Sequence, residues 1–344
     1  MSATTDWLSA MVREHILPGF TDEIFYGHPT MEWLWKNRDT LDGGRTIDWS
    51  FYMDDDEQAQ TYSPFEDFTV SPPDFARRAS VVWADYVMPF VISKNILLKT
   101  SGKDAVLRYL FETKENRRRS FMATLSKNIF GDGAQYAHPK FVGKMINPLI
   151  GLDSIVGADR TYGGFDSTTY PALDSYLING GDTTFSHLYD PSDAQYLPDL
   201  MAQCMNETDY GNGEIDFWAM PIILHEALER AAMRGDVRMT VGASVQGLGT
   251  NVTGGGTANM GIKKIDFRGV EVYRDRDCPA GKAFGLNSKS IQLTTLQGAD
   301  LTYHDFVEDP TGDAIVANWT LSCQLIAREP RALAKIYGIA TSRT

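Results

Sequence analysis

A long helical segment constrains this chain more than any other feature of its sequence. It begins at Ser101, which is suited to cap a helix with Asp104 three residues later, and ends at Gly131. One side is marked by side chains at helical spacing: Val106, Leu110, Thr113, Phe121, Leu125 and Ile129. At the rise of an α-helix, the segment would be about 45 Å long, several times longer than an ordinary helix. We therefore expect an extended subunit.

A long hairpin is predicted before this helix. The stretch GGRTIDWSFYM alternates, with Ile47, Trp49 and Phe51 on one face, which indicates a strand. A second strand is predicted from Ala79 to Ser93, after a polar and acidic excursion. Because an isolated hairpin of two strands is marginally stable in water, we expect it to lie on a neighbour.

The first forty residues read as short helices without a core of their own. One helix carries Leu8, Met11, Val12 and Ile16 at helical spacing, and another is predicted to begin at Pro29. We expect this arm to lie against something else.

The rest of the chain mixes helices and antiparallel strands without a βαβ rhythm, which places it in the α+β class. NPLIGLDSIVG reads as a short helix or turn, and further helices are predicted in SDAQYLPDLMAQCMNETD and after Pro221. Strands are predicted near 262–267, 270–274 and 282–287, with a tight two-residue turn at Arg268-Gly269. SIQLTTL and AIVANWTLSCQLIARE read as further strands.

Composition excludes several classes of protein. The chain has 344 residues and a formal net charge of −13, so binding nucleic acid through phosphate neutralisation is not expected as its main task. Its three cysteines do not suggest a disulfide framework or a zinc site. No signal peptide and no membrane-spanning segment are predicted.

The motifs that resemble catalytic or binding sites are each incomplete. HEALE lacks the second histidine of a zinc-protease helix, since Glu229 stands four residues after His225, and a surface histidine is the expected reading. GASVQG has Gln246 where a nucleophile elbow needs glycine after Ser244. The glycine-rich stretch 253–261 leads into a strand-like run, and the acidic stretch 54–57 lacks the ligand spacing of a calcium loop. We predict no catalytic residue, no metal and no cofactor.

Three stretches, in this order, resemble the major capsid proteins of tailed bacteriophages with the Hong Kong 97-like fold. They are NPLIGLDSIVGADRTYGGFDSTTYPALDSY, MGIKKIDFRGVEVYRDRDCPAGKAFGLNSKSIQL and NWTLSCQLIAREPRALAKIYGI. The predicted long hairpin and long helix match the family's extended loop and spine helix. Two departures are the residues after Tyr170-Pro171, where the family often has tryptophans, and Ser167, where a basic residue is common.

The resemblance implies a division of the chain. An N-terminal arm (1–41) and an extended hairpin loop (42–98) are expected first. A peripheral domain with the spine helix (99–150) and an axial domain (151–305) follow, and residues 306–344 return to the peripheral-domain sheet. Assembly contacts are expected from seven residues of the hairpin and spine helix: Trp49, Phe51, Phe65, Phe68, Arg117, Arg118 and Arg119.

The resemblance also implies a function. The chain is expected to assemble with copies of itself, as hexamers and pentamers, into an icosahedral phage head in the bacterial cytoplasm. Expected partners are a separate scaffolding protein, a portal protein at one vertex, a possible decoration protein and packaged double-stranded DNA without sequence-specific contact. No membrane partner and no cleavage of the chain are expected.

Two other interpretations remain open. The same fold can form an encapsulin-type compartment around a cargo enzyme, which the neighbouring genes would distinguish. An α+β enzyme or carbohydrate-binding module is the third interpretation, and monomeric behaviour together with a saturable small-molecule ligand would favour it.

Overall fold

The computed structural model describes residues 28–52, 61, 76–95, 103–137, 145–181, 184–209, 213–233, 264–308 and 312–343. The α-helices in this part of the chain are α1 Pro29–Lys36, α2 Lys103–Ile129, α3 Leu152–Ile155, α4 Leu197–Thr208 and α5 Ile222–Met233. Short 3-10 helices span Pro171–Leu173, His187–Tyr189 and Pro330–Ala332.

The strands up to residue 220 are β1 Asp39–Leu41, β2 Thr46–Tyr52, β3 Ala76–Val82, β4 Ala84–Ser93, β5 Tyr136–Ala137, β6 Met145–Ile146, β7 Thr161–Tyr162, β8 Phe165–Asp166, β9 Tyr176–Asn179 and β10 Phe217–Met220. The strands that follow are β11 Lys264–Phe267, β12 Val270–Arg274, β13 Ala283–Leu286, β14 Ile291–Leu296, β15 Thr302–Glu308, β16 Ala314–Ala327 and β17 Ala334–Tyr337. The mixture confirms the predicted α+β class.

The longest strand, β16, organises a sheet of five strands. It spans 14 residues and pairs antiparallel with the whole of β4 along one edge. Its other edge pairs with β15 and then with β14, and β1 joins β14 in parallel. Burial alternates in the first half of β16, as the period of a strand requires, whereas residues 321–327 are all buried. Trp319 packs edge-on against Phe90 with ring centroids 5.7 Å apart.

A second sheet has six strands in the order β11-β12-β10-β13-β17-β9. Its middle strand β10 is buried on both faces, which explains its continuous apolar sequence Phe217–Met220. Trp218 belongs to a core that includes apolar residues of α4 and α5. Phe217 belongs to the other core, where Trp33 of α1 stacks on it at 4.8 Å.

The predicted long helix is confirmed as α2, which has 27 residues. Phe121, Leu125 and Ile129 are buried along one side of its last turns, as their spacing predicts. Phe121 meets the ring of Tyr86 edge-on at 6.3 Å, so this end of the helix packs on β4. The predicted cap Ser101 lies outside the described residues.

The hairpin prediction is half right. Ile47, Trp49 and Phe51 are buried on one face of β2, as predicted. The predicted second strand 79–93 is wrong as a single element, because the chain changes sheets at Trp83. Residues 76–82 pair with β2, whereas 84–93 pair with β16. The reason is a one-residue change of phase, since β3 buries odd-numbered residues and β4 even-numbered ones.

The part of the N-terminal arm that the structure describes packs on its own chain. Met31 and Leu34 of α1 are fully buried. The backbone N–H of Thr30 donates to Asp275 at 3.4 Å, and His28 Nδ1 lies 3.1 Å from Asp277 Oδ2. The arm was expected to lie against another surface, and for residues 28–41 that surface belongs to the same chain. Its predicted helix near Leu8 lies outside the described residues.

The meander at residues 264–286 has the predicted strands and turn. Phe267 pairs with Val270 across a two-residue turn in which Arg268 and Gly269 have φ of 50° and 85°. The division into domains stays a prediction. Within the expected return segment 306–344, β15 and β16 lie in the five-stranded sheet, whereas β17 lies in the six-stranded sheet.

Candidate assembly surfaces

The root of the hairpin, formed by β2 and β3, rests on residues 161–170 of the same chain. Trp49 packs on Tyr162 with ring centroids 5.6 Å apart, and Phe51 meets Phe165 edge-on at 5.2 Å. These contacts come from the face of β2 that the sequence pattern predicts to be apolar. They supply the neighbour that a hairpin of two strands needs for stability.

Gly163 brings the backbones of the hairpin and its support close together. The N–H of Ser80 donates to the carbonyl oxygen of Gly163 at 3.2 Å. A Cβ atom on Gly163 would lie 2.6 Å from the Cβ of Ala79, and φ at this glycine is +62°. Glycine is required here both by backbone conformation and by the space available.

The supporting segment is held in place by Arg160. Its guanidinium donates to the carbonyl oxygens of Ser154 at 2.6 Å and of Leu173 at 2.9 Å, and also to that of Ile155. The backbone N–H of Arg160 donates to Ser167 Oγ at 2.9 Å. Ser167 is fully buried, so the small residue at this departure from the family pattern has a structural role.

The outer face of the five-stranded sheet presents a row of valines. Val91, Val316 and Val307 stand side by side on three adjacent strands. Val307 is 64% exposed and Val91 is 38% exposed, and Val87 on the same face of β4 is 59% exposed. Exposed apolar residues grouped on one surface are typical of interaction sites. The sequence gives little signal of this row, because β4 carries apolar residues on both of its faces.

The predicted assembly residues fall into three groups. Trp49 and Phe51 are buried within their own chain, so any effect on assembly would come from holding the hairpin root. Phe65 and Phe68 lie outside the described residues. Arg117 and Arg119 are exposed on α2, whereas the side chain of Arg118, on the same helix, is outside the described part. Their role in assembly stays a prediction.

A charged cluster links α3 to the six-stranded sheet. Both carboxylate oxygens of Asp153 accept hydrogen bonds from Lys282 Nζ at 2.8 Å, and Lys335 Nζ lies 3.3 Å from Oδ1. Burial alone would raise the pKa of Asp153, but the hydrogen bonds and charges of the two lysines outweigh it and lower the pKa below its ordinary value. Burial also lowers the pKa of Lys335.

Replacing Asp153 by asparagine should lower the free energy of unfolding by about 2 kcal/mol at neutral pH, because Lys335, whose side chain is only 11% exposed, loses its counter-charge. The stabilisation by Asp153 is complete above the pKa of the unfolded carboxyl group and is lost as the pH falls through the lower folded pKa. The difference in free energy of unfolding between the wild type and the variant should therefore disappear as the pH falls from about 5 to very acidic values. Chemical denaturation of the whole chain at several pH values measures this difference. The exposed Glu214, changed to glutamine, is the control and should cost less than about 0.5 kcal/mol. An equal effect of both changes at neutral pH would contradict the role of the cluster.

His225 is buried in α5, so the expectation of a surface histidine was wrong. It is 2% exposed, and its Nδ1 lies 3.2 Å from Glu229 Oε1. Burial and then the charge of Arg274 lower its pKa to about 4, so the ring is neutral at physiological pH and its contact with Glu229 is a hydrogen bond. Among the described residues, no group of histidine, cysteine and acidic side chains is arranged to hold a metal ion.

The cysteines are core residues. Cys204, Cys278 and Cys323 are all buried and unpaired. Burial raises the pKa of each thiol, to about 12 for Cys204, so none is activated as a nucleophile. Cys278 is buried although it lies in the bend between β12 and β13. No helix in the described part of the chain is long and apolar enough to cross a membrane.

Comparison with solved structures identifies this arrangement. The subunit of the cyanophage A-1(L) capsid superposes with a TM-score of 0.58 at 15% sequence identity, covering 90% of this chain and 92% of that one. The chain has the Hong Kong 97-like capsid fold. The predicted fold is thus confirmed over nearly the whole chain.

Two further structures with this fold come from different settings. The SrpI encapsulin complex of Synechococcus elongatus matches with a TM-score of 0.53 at 13% identity, covering 90% of this chain and 88% of that one. The procapsid of satellite phage P4, which includes a size determination protein, matches with a TM-score of 0.50 at 12% identity over 99% of both chains. By sequence, no protein-family description and no curated protein matches the chain.

Proposed function

We propose that this chain is the major capsid protein of a tailed bacteriophage. It would assemble as hexamers and pentamers into an icosahedral head that encloses double-stranded DNA. The observation that carries the proposal is the match of fold along 90% of this chain and 92% of a cyanophage capsid subunit.

The surfaces of the subunit fit a role in which neighbours complete one another. The valine row on the outer sheet face offers apolar area, and a closed shell needs each subunit to use several different surfaces. The exposed Arg117 and Arg119 on α2 would supply charged contacts. The net charge of −13 would limit attraction to packaged DNA, so that contact with it is weak and independent of sequence.

The proposed partners are other copies of the chain, a portal protein at one vertex, a possible decoration protein and a separate scaffolding protein. The P4 procapsid structure contains a size determination protein, which is the kind of accessory factor expected to guide shell formation. Assembly would take place in the bacterial cytoplasm, and the finished protein would reside in the virion.

An encapsulin-type compartment is the second candidate, favoured by the match to the SrpI encapsulin complex. The two functions differ in what the shell encloses. Particles purified after expression in the native host should contain nuclease-protected DNA if the chain is a phage capsid protein. Particles that hold a single cargo protein and no DNA would instead establish the encapsulin function.

Replacing residues 54–74 by a short flexible linker tests the proposed role of the hairpin. We expect this variant to fold, with the circular dichroism spectrum of the wild type, but to form no closed shells by negative-stain electron microscopy. The reason is that the segment would reach over the adjacent subunit and bury area against it. Shells of normal size and yield from the variant would show that the hairpin is not needed for assembly.

A further inference from the structure

The strand β4 forms an open edge of the five-stranded sheet. Among the described strands it pairs only with β16, along all of its 10 residues. Met88, Phe90 and Ile92 are buried, whereas the odd-numbered side chains between them are exposed. A strand edge without a partner can pair with a strand of another molecule, because its backbone groups are still available. The outer edge of β4 thus offers backbone groups to a further strand.

The hydrogen bonds between β4 and β16 fix which of these backbone groups point outward. The N–H of Lys94 donates to the carbonyl oxygen of Asp313 at 3.2 Å, and these two residues continue the register of Ser93 with Ala314. In an antiparallel pair, facing residues alternate between exchanging hydrogen bonds and exchanging none. Because the register has no shift along β4, its even-numbered residues bond to β16. Its odd-numbered residues therefore direct their N–H and C=O groups to the outer edge.

Pro89 lies in the middle of this outward row, which consists of Asp85, Val87, Pro89, Val91 and Ser93. Proline has no backbone N–H, so the donor at the centre of the row is missing. Prolines within sheets are found on edge strands, where they hinder pairing with a further strand. Pro89 is exposed, so burial does not account for its presence in β4.

The outward row is complementary to itself. In an antiparallel pair of two β4 strands centred on Pro89, Val87 of each copy would face Val91 of the other, and Asp85 would face Ser93. Both valines are exposed in the single subunit, so this pairing would bury apolar area of both copies. Pro89 would face Pro89, however. The central pair would lack both of the hydrogen bonds that two other residues exchange at such a position.

We propose that the outer edge of β4 is a latent site for pairing with a second copy of this chain, and that Pro89 keeps this site closed. The valines supply the attraction, and the missing donors at the centre remove the hydrogen bonds that would fix the pair. Without this proline, subunits would be lost to edge-to-edge association. This inference concerns a contact that the subunit avoids. It goes beyond the proposed function, because it holds whether the shell encloses DNA or a cargo protein.

Cysteine crosslinking of the full chain tests the proposal. Val87→Cys and Val91→Cys are introduced together, with and without Pro89→Ala. In the proposed pair, the Cα atoms of position 87 in one copy and position 91 in the other would be about 5.5 Å apart, which suits a disulfide. Within one chain the two positions are too far apart to be bridged, since four residues of a strand span about 13 Å.

Mild oxidation should give at least threefold more covalent dimer with Pro89→Ala than with the proline, because alanine restores the central N–H groups. Mass spectrometry should find disulfides that join position 87 of one copy to position 91 of the other. Pro89→Val is a second variant and should raise the yield at least as much, because valine favours strands. Circular dichroism checks that each variant has the fold of the wild type.

The control is Asn318→Ala in place of the change at Pro89. Asn318 faces Pro89 from β16 on the same side of the sheet, and replacing it leaves the backbone donors of the outer edge unchanged. The dimer yield should therefore stay at the level seen with the proline. Equal yields from the Pro89 variants and the control would overturn the proposal. Disulfides between positions 87 and 91 that are no more frequent than 87–87 and 91–91 disulfides together would also overturn it, because random collisions give that proportion.

Discussion

Replacing Arg160 by methionine is expected to lower the free energy of unfolding by about 3 kcal/mol. The guanidinium donates to the backbone carbonyl oxygens of Ser154, Ile155 and Leu173, which lie on either side of the hairpin support at residues 161–170. Burial lowers the pKa of Arg160, yet a guanidinium remains charged at neutral pH. Methionine keeps an apolar stem of similar length but leaves three carbonyl oxygens without their donor.

Chemical denaturation of the whole chain measures this effect. The control is Arg268→Met in the exposed β11–β12 turn, where the guanidinium donates to Asn206 at 2.9 Å. That change should cost less than about 0.5 kcal/mol because the contact is exposed. If the Arg160 variant is as stable as the control, the guanidinium does not hold the hairpin support.

Changing Gly163 to alanine is expected to cost about 2 kcal/mol and to loosen the hairpin root. Part of the cost comes from the left-handed backbone, with φ at +62°, and part from the new Cβ atom 2.6 Å from the Cβ of Ala79. Because β3 carries Ala79, the strain acts directly on the contact between the hairpin and its support. Assembly yield, measured by electron microscopy, should fall together with stability.

Gly164 is a matched control for this change. Its φ is +90°, but a Cβ atom added there would have no neighbouring atom within 4 Å. Gly164→Ala should therefore lower the free energy of unfolding by about 1 kcal/mol, from the left-handed backbone conformation alone. Adding Ala79→Gly to the Gly163 variant should recover the steric part of its loss. Equal costs at the two glycines, with no recovery in the double variant, would contradict the close approach.

The elements that sequence reasoning predicted well are those with a strong local pattern. Leu125 and Ile129 stand at helical spacing in α2, and alternation in β2 identifies Trp49 and Phe51 as one face. The turn at Arg268-Gly269 is visible in the shift of alternation around it. Each of these patterns repeats within a few residues, so neighbouring positions carry the information.

The errors arose where distant parts of the chain decide the outcome. The run 79–93 is apolar on both faces, since Val82, Val87 and Val91 are exposed apolar residues. Its periodicity therefore does not show that the chain stops pairing with β2 and begins to pair with β16 at Trp83. In the same way, the sequence places His225 next to both apolar residues and the acidic Glu226 and Glu229, and the packing of α5 in the fold decides that it is buried.

The sequence by itself determined the α+β class, the length of α2, the buried face of β2 and the tight turn at 268–269. The tertiary structure alone decided which sheet each strand joins and where α1 docks. It also decided that the hairpin rests on residues 161–170 of its own chain. The physical reason is that sheet pairing and burial depend on contacts between remote residues, such as Thr30 and Asp275, which are 245 positions apart. Local periodicity carries no information about such contacts.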